Sequence, residues 1–378
     1  MFRLSRCNRP GGDAMYVVTN RKVNNRKEGL EVFGDTPNTV GPNELRLVKV
    51  TRQGSHYTTE LLADKLTQAE VRELKRRHAL DIDERSDWYA SLRVACDLME
   101  QAAREKRHLL VYVHGYNNDM KDVLGTAETL EALYNVIVLP FSWPANGGGA
   151  VSGTADYLDD KQDARVSMDA LNRFFEKVQF YHEKLTEARR EAFWQQALAE
   201  DGGRGNREAV QARFTQLLAE DCKVTLNLMC HSMGNYVLKY ALQPSAAAAA
   251  KLIFDNVSLV AADTNNAAHE TWVQRIQFRN RLYVVINEND FALAWSRRKP
   301  GEAQRARLGH YLKNLFAANT RYIDITRADG VGNAHGYFAG EPVARNAALK
   351  AVFSDAFEGG RAEDRLSYAA DINAYRLI

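Results

Sequence analysis

The sequence lacks a strong excess of charge of either sign. Its 378 residues include 50 Lys and Arg against 48 Asp and Glu, which gives a formal net charge of +2. Proteins that bind nucleic acid usually concentrate positive charge far more strongly, so no nucleic-acid partner is predicted. The chain also lacks a run of about 18 apolar residues, the length a helix needs to span a membrane, and no transmembrane segment is predicted.

Other absences narrow the class further. The four cysteines (Cys7, Cys96, Cys222 and Cys230) form no Cys-x-x-Cys pair, and there is no His-Glu-x-x-His, so neither a metal site nor a cofactor is predicted. The first fifteen residues are polar and do not contain the apolar segment of a secretory signal. We therefore expect a cytoplasmic protein with reduced thiols. No sequence feature indicates an oligomeric state.

What the sequence does contain is an alternation of short apolar runs with helical stretches. The runs are rich in Val, Ile and Leu and do not alternate with polar residues, which is typical of strands buried on both faces. Strands that alternate with helices predict a mostly parallel central sheet flanked by helices. The runs lie at residues 109–113, 136–141, 224–229, 257–261, 282–286 and 322–325.

Two regions depart from this alternation. Residues 1–107 are predicted as a β-rich extension that continues into helices and leads into the main domain, residues 108–378. The spacer between the second and third runs is about eighty residues long, far more than the dozen or so that a crossover needs. It is predicted to hold one helix at 156–181 and a helical pair within 182–221. That pair is an insertion, either a lid or a helical hairpin that packs for stability.

The strongest chemical signal is a serine between a predicted strand and a predicted helix. Ser232 follows His231 and precedes Met233 and Gly234. A serine at such a sharp turn is held in a strained backbone conformation and projects its hydroxyl from the carboxyl edge of the sheet. Small residues are required two positions before and after it, and Cys230 and Gly234 meet that need. Ser232 is the predicted nucleophile.

A second signal follows the strand at 109–113. His114 and Gly115 form a turn there, and glycine lets the backbone bend tightly enough to aim a following amide at a carbonyl under attack. The amides of Tyr116 and Met233 are therefore the predicted oxyanion hole. His114 is predicted to hold the loop and not to transfer protons.

A nucleophilic serine needs a base, and three histidines follow Ser232 in the chain: His269, His310 and His335. His335 lies in a loop after the last predicted strand, where it can reach the carboxyl edge of the sheet, and it is the predicted base. The other two fall in helical stretches and are expected on the surface.

The acid that orients this base has two candidates at strand ends. Asp290 is favoured because its strand is nearer the histidine loop, and Asp263 is the alternative. Either aspartate could equally be the N-cap of a helix.

Taken together, these stretches resemble the DUF900 family of α/β hydrolases, which are predicted to be esterase- or lipase-like. The resemblance implies an α/β-hydrolase fold, Ser232 as nucleophile, His335 as base and an aspartate between them. It does not identify a substrate. The matching stretches, in the family's order, are residues 16–21, 113–117, 141–144, 163–167, 231–235, 289–293 and 335–338.

The predicted activity is hydrolysis of a small-molecule carboxylic ester or acyl substrate by an acyl-enzyme route. A thioesterase, an amidase or a lipid-acyl hydrolase would use the same triad. A non-catalytic binding protein on a hydrolase fold is the alternative from another class. Asn117 and Trp143, with Tyr116, are candidate pocket residues, and apolar side chains of the helical pair could cover an acyl chain.

Overall fold

One large sheet runs through the molecule. The computed structural model describes residues 14–145, 154–221, 224–242, 252–298 and 306–377. The sheet has eleven strands in the order β12-β13-β11-β10-β9-β8-β6-β7-β1-β4-β5, and β2 pairs with β3 in a separate two-stranded sheet. The strands are β1 (Ala14–Thr19), β2 (Arg21–Val23), β3 (Phe33–Pro37), β4 (Arg46–Gln53), β5 (His56–Leu61), β6 (His108–Val113), β7 (Val136–Ser142), β8 (Leu226–His231), β9 (Phe254–Val260), β10 (Phe278–Ile286), β11 (Arg321–Asp324), β12 (Ser367–Ala369) and β13 (Ala374–Arg376).

The centre of the sheet is parallel. The eight strands from β13 to β1 pair in parallel with their neighbours, while the pairs β1–β4, β4–β5 and β12–β13 at the two edges are antiparallel. The six apolar runs form β6 to β11, and their residues are mostly buried, as strands covered on both faces require. The predicted fold, a mostly parallel sheet flanked by helices, is confirmed.

Helices cover both faces of this sheet. One apolar core joins the sheet to α2, α4, α5 and α7, and a second joins its other face to α3 and α11. No helix in the described ranges combines the length and hydropathy needed to cross a bilayer. The helices are α1 (Gln68–His78), α2 (Ala90–Glu105), α3 (Met120–Leu133), α4 (Thr154–Val166), α5 (Met168–Asp201), α6 (Arg207–Glu220), α7 (Gly234–Ala241), α8 (Glu270–Val273), α9 (Phe291–Ser296), α10 (Glu341–Arg345) and α11 (Ala347–Phe357).

The long spacer differs in detail from its prediction. The predicted helix at 156–181 is divided at Ser167 into α4 and α5, and α5 then continues for 34 residues without the expected break before residue 187. No Gly or Pro interrupts residues 182–186, so nothing stops the helix there. The helix ends at Gly202, whose φ of +62° is a left-handed cap.

The apolar side chains of the α5–α6 hairpin pack on one another. Ala197, Val210 and Leu217 are buried in a small cluster, and Phe193, Trp194 and Phe214 pack against it half-buried. This arrangement is that of a helical hairpin with its own core, which is one of the two alternatives predicted for the insertion.

Candidate active site

The turn between β8 and α7 holds Ser232 in a strained conformation. Its φ is +52°, a left-handed value that non-glycine residues adopt at a cost of about 1–3 kcal/mol. Two hydrogen bonds to the next strand support the turn. Ser232 N donates to Val260 O at 3.0 Å, and Asp263 N donates to Ser232 O at 3.2 Å. Ser232 itself is only 6% exposed.

Neighbouring backbone crowds this turn, which explains the small residues around it. A Cβ on Gly234 would lie 2.5 Å from Val113 O, and a Cβ on Gly115 would lie 2.8 Å from Ser232 Cβ. Cys230 is fully buried in β8 between neighbouring strands. Burial raises the pKa of its thiol, so Cys230 remains a neutral, small core residue.

The loop after β6 lies directly against the serine. A Cβ on Gly115 would also lie 3.3 Å from Ser232 Oγ, so the loop that leads from Gly115 into Tyr116 passes beside the serine. The Met233 amide stands at the N-terminus of α7 and donates no hydrogen bond to any atom of the described residues. The two amides predicted for an oxyanion hole therefore belong to adjacent turns at the carboxyl edge of the sheet.

His114 holds the loop in place. It is fully buried, its Nδ1 donates to Gly115 O at 2.9 Å, and its Nε2 accepts from Trp143 N at 3.2 Å. Burial, with a smaller contribution from nearby Arg21, lowers the pKa of His114 to about 3. The ring is thus neutral, as a structural histidine would be.

Trp143 does not line an accessible pocket. It is fully buried and stacks on the His114 ring with 5.1 Å between ring centroids, and its indole N–H donates to His114 O at 2.9 Å. The expectation that Trp143 is a pocket residue is corrected, because its side chain is used to support His114. Asn117 is half-buried with a φ of +57°, and its amide donates to Asp160 Oδ2 at 3.0 Å.

His335 and Asp290 meet beside the serine turn. His335 Nδ1 and Asp290 Oδ2 are 2.7 Å apart, and Asp290 is completely buried whereas the His335 side chain is 25% exposed. Asp290 Oδ1 also accepts from Leu293 N at 3.0 Å, so this aspartate is an N-cap of α9 as well as the partner of the histidine. Because the Asp290 carboxylate accepts a hydrogen bond from His335 Nδ1, the other ring nitrogen, Nε2, carries the lone pair.

His231 lies between the serine turn and the histidine loop. Its ring centroid is 4.6 Å from that of His335, and its Nε2 is 3.3 Å from His335 O. Burial, together with the nearby His335, holds the pKa of His231 well below its usual value, so His231 is a neutral donor to that carbonyl. Among the described residues, Ser232 Oγ and His335 Nε2 form no hydrogen bond with each other.

Asp263 has different partners. It is buried in an ion pair with Arg307, with 3.0 Å between Arg307 Nε and Asp263 Oδ1. The Ser296 hydroxyl donates to Asp263 Oδ1 at 2.5 Å and the Tyr157 hydroxyl donates to Asp263 Oδ2 at 3.1 Å. Asp263, the alternative acid, is therefore engaged by these partners and has no hydrogen bond to His335 among the described residues. Sequence reasoning missed Tyr157, Ser296 and Arg307, because only packing brings them to Asp263.

The two other histidines are not on the surface. His269 is completely buried, and its Nε2 is 2.5 Å from the Tyr322 hydroxyl. His310 is also buried, in a short 3₁₀ turn. The prediction that both are surface residues is wrong, because the loops that carry them fold back onto the sheet.

A cavity of about 520 Å³ lies elsewhere in the molecule, between β4, α2 and α5. None of the predicted site residues lines it, so it is not part of the candidate site. No group of three or more His, Cys, Asp or Glu within the described ranges is arranged to hold a metal ion.

A serine in a left-handed turn between a parallel strand and a helix, with a His–Asp pair from later strand ends, defines the class of α/β hydrolases. A family model described as "Alpha/beta hydrolase of unknown function (DUF900)" matches residues 94–186 and 201–351, and the chain belongs to this family. No curated protein and no solved structure matches the chain.

Proposed function

We propose that this α/β hydrolase cleaves carboxylic esters through an acyl-enzyme intermediate, with Ser232 as nucleophile, His335 as base and Asp290 as the orienting acid. The observation that carries the proposal is the 2.7 Å contact between His335 and Asp290 beside a serine with a φ of +52°. In chain order these are serine, aspartate and histidine, the order typical of the class.

Each group has a chemical role that its surroundings support. Asp290 is buried and accepts a hydrogen bond from His335 Nδ1, which fixes the ring tautomer and stabilises the imidazolium that forms. His335 Nε2 takes the proton of Ser232 as Oγ attacks the ester carbonyl, and it later returns a proton to the leaving alcohol. In the second half of the reaction, His335 activates a water molecule. The water hydrolyses the acyl-serine and releases the carboxylic acid.

The developing oxyanion needs preorganised donors. We assign this role to the Met233 and Tyr116 amides, because Met233 directly follows the serine and Tyr116 follows Gly115, whose loop passes beside Ser232. Each such donor contributes about 3–4 kcal/mol to transition-state stabilisation. The missing hydrogen bond between Ser232 and His335 does not argue against this arrangement, because catalytic contacts are often loose without substrate and tighten in the complex.

The test is an assay of 4-nitrophenyl esters from acetate to octanoate. Wild type should hydrolyse at least one of them, and Ser232→Ala should lose all activity above the background rate. Ser367→Ala, which removes an exposed serine of β12, is the matched control and should behave as wild type. Equal hydrolysis by wild type and Ser232→Ala would refute the proposal. Hydrolysis rates of matched thioesters and anilides in the same assay show which type of acyl bond the enzyme cleaves fastest.

A further inference from the structure

The cavity between β4, α2 and α5 has the size and lining of a ligand pocket. Its volume is about 520 Å³, and ligand pockets in proteins usually measure about 300–1,000 Å³. Protein cores contain few spaces larger than a water molecule, so a space of this size among apolar side chains is not ordinary core packing. We call it the α2–α5 cavity.

The floor of the α2–α5 cavity is the middle of the parallel sheet. Leu139 of β7 lines it together with Val111 of β6 and Val18 of β1. Leu139 shares a face of its strand with Ile137 and Phe141, because side chains along a strand alternate between two faces. Ile137 and Phe141 are buried, whereas Leu139 is only half-buried. The helices therefore leave an apolar part of the central sheet uncovered at Leu139.

Small side chains on α2 make room above this floor. Ser91 and Ala95 both line the cavity, and they are four residues apart on one face of the helix. Val178 and Leu185 of α5 add apolar surface to the lining. The Ser91 hydroxyl is hydrogen bonded to the Tyr181 hydroxyl at 2.8 Å, so the polar atoms of this wall already have partners. The interior of the cavity is therefore suited to a hydrocarbon chain.

The entrance of the α2–α5 cavity is lined by exposed charged side chains. Lys65 follows β5, while Arg173 and Lys177 lie on α5. Lys65 pairs with Asp87 at 2.5 Å, and Arg173 pairs with Glu44 at 3.2 Å. Carboxylates therefore compensate these two cations.

The remaining charges at the entrance also offset one another. Lys177 Nζ lies 5.0 Å from the centre of the Tyr89 ring. Asp64 and Glu176 line the same entrance and are exposed, so they contribute negative charge there. An entrance with charges of both signs favours neither an anion nor a cation, but it offers hydrogen-bond partners to an uncharged polar group.

The α2–α5 cavity is separate from the serine turn. Leu226, the first residue of β8, lines the cavity and lies six positions before Ser232. A strand rises about 3.3 Å per residue, so about 20 Å separates the two residues along β8. A ligand in the cavity therefore does not occupy the position of a substrate at Ser232.

We propose that the α2–α5 cavity binds a single-chain lipid with an uncharged head group. The alkyl chain lies on Leu139 and Val111 and packs against Ala95, while the head group stays at the entrance near Tyr89 and Lys177. This binding site is additional to the proposed ester hydrolase function and does not depend on it. Because the ligand contacts the sheet together with α2 and α5, its binding stabilises the folded chain.

The first test is calorimetric titration of the full chain with 1-octanol and 1-decanol. Each methylene that is buried from water strengthens binding about fourfold, so decanol should bind about fifteenfold more tightly than octanol. 1,10-Decanediol has the same chain length but would place a second hydroxyl on the apolar floor, so it should bind at least tenfold more weakly than decanol. Decanoate, measured at pH 8, should bind no more tightly than decanol.

The second test fills the cavity. Ala95→Phe adds a ring to the α2 wall and should weaken decanol binding at least tenfold. Ala132→Phe, which makes the same change at an exposed alanine of α3, is the matched control and should bind decanol as wild type does. Thermal unfolding shows whether both variants are folded, and the ligand series on wild type does not depend on either of them.

No binding of decanol, equal binding of decanol and 1,10-decanediol, or unchanged binding in a folded Ala95→Phe protein would each overturn the inference. Tighter binding of decanoate than of decanol would overturn the assignment of an uncharged head group. The Ser232→Ala protein should bind decanol as wild type does. A failed esterase assay would therefore leave this site intact, and a failure to bind decanol would leave the proposed function intact.

Discussion

At the scale of single residues, the two aspartates at strand ends have different surroundings and should respond differently to the same change. Asp290→Asn retains the N-cap oxygen for Leu293 but no longer fixes the His335 tautomer, so kcat should fall by about 10⁴-fold with little loss of stability. Steady-state kinetics and thermal unfolding measure the two effects.

The comparison variant is Asp263→Asn. It removes the carboxylate charge from the buried ion pair with Arg307, so it should cost about 3–5 kcal/mol of stability. If Asp263→Asn abolished turnover in a fully stable protein while Asp290→Asn remained active, the assignment of the acid would be reversed.

The close approach of Gly115 to the nucleophile gives a second prediction at this scale. A Cβ added there would lie 2.8 Å from Ser232 Cβ, closer than real Cβ atoms come, and a tight 3.3 Å from its Oγ. Gly115→Ala should therefore fold but displace the serine or the oxyanion loop and lower kcat/KM at least 100-fold, as loss of an oxyanion donor does. Gly125→Ala, at a position with open space around it, is the matched control. Full activity of Gly115→Ala would contradict this packing.

Sequence reasoning favoured Asp290 as the orienting acid but kept Asp263 as an alternative. Both aspartates follow parallel strands and both resemble helix N-caps, so local pattern does not separate them. The two aspartates differ in their ionic partners, since Asp263 pairs with Arg307 and Asp290 pairs with His335. Arg307 is 44 positions further along the chain, and only the folded sheet brings it to Asp263.

At the scale of elements, α4 carries a carboxyl whose titration should affect stability. Burial and the neighbouring Asp160 and Asp159 raise the pKa of Asp163 to about 6 from 3.8. The folded state therefore holds this proton more tightly than the unfolded state. The associated stability is present below about pH 4 and is lost as pH rises towards and above 6.

Asp163→Asn mimics the protonated form and should raise the melting temperature by about 1–3 °C at pH 7.5, with the difference shrinking to near zero at pH 4. Asp169→Asn, on the first turn of α5, is the comparison. Thermal unfolding of both variants at the two pH values measures the effect. If Asp163→Asn stabilised the protein more at pH 4 than at pH 7.5, the pKa of Asp163 would not be raised in the folded state.

The elements that sequence patterns located best are the buried strands, because six apolar runs correspond to β6–β11. Hydrophobic patterns did not predict the strands that contain few buried apolar residues. The strands β2, β3, β5, β12 and β13 are short or exposed edge strands and have no distinctive periodicity. The predicted break between the helix at 156–181 and the helical pair does not occur, because residues 182–186 contain no Gly or Pro to stop α5.

At the scale of the whole molecule, the N-terminal strands extend the main sheet. β1 pairs in parallel with β7, and β4 and β5 continue the sheet beyond it. Val17, Val48 and Val50 are buried in a core with Met120 and Leu124 of α3. A chain that begins at residue 64 would expose this core and leave the edge of β7 unpaired.

That truncated chain should therefore aggregate or lose cooperative unfolding. Size-exclusion chromatography and circular dichroism of the truncated and full chains measure this. A truncated protein that is monomeric and as stable as the full chain would show that residues 1–63 are dispensable for folding.

The left-handed turn at position 232 should present a reactive serine to a histidine. The most direct measurement is intact-mass analysis after treatment with a fluorophosphonate, followed by peptide mapping. Wild type should gain one adduct on Ser232, and His335→Ala should react at least 100-fold more slowly. An unlabelled wild-type protein, or an adduct on another residue that persists in Ser232→Ala, would show that Ser232 is not the nucleophile.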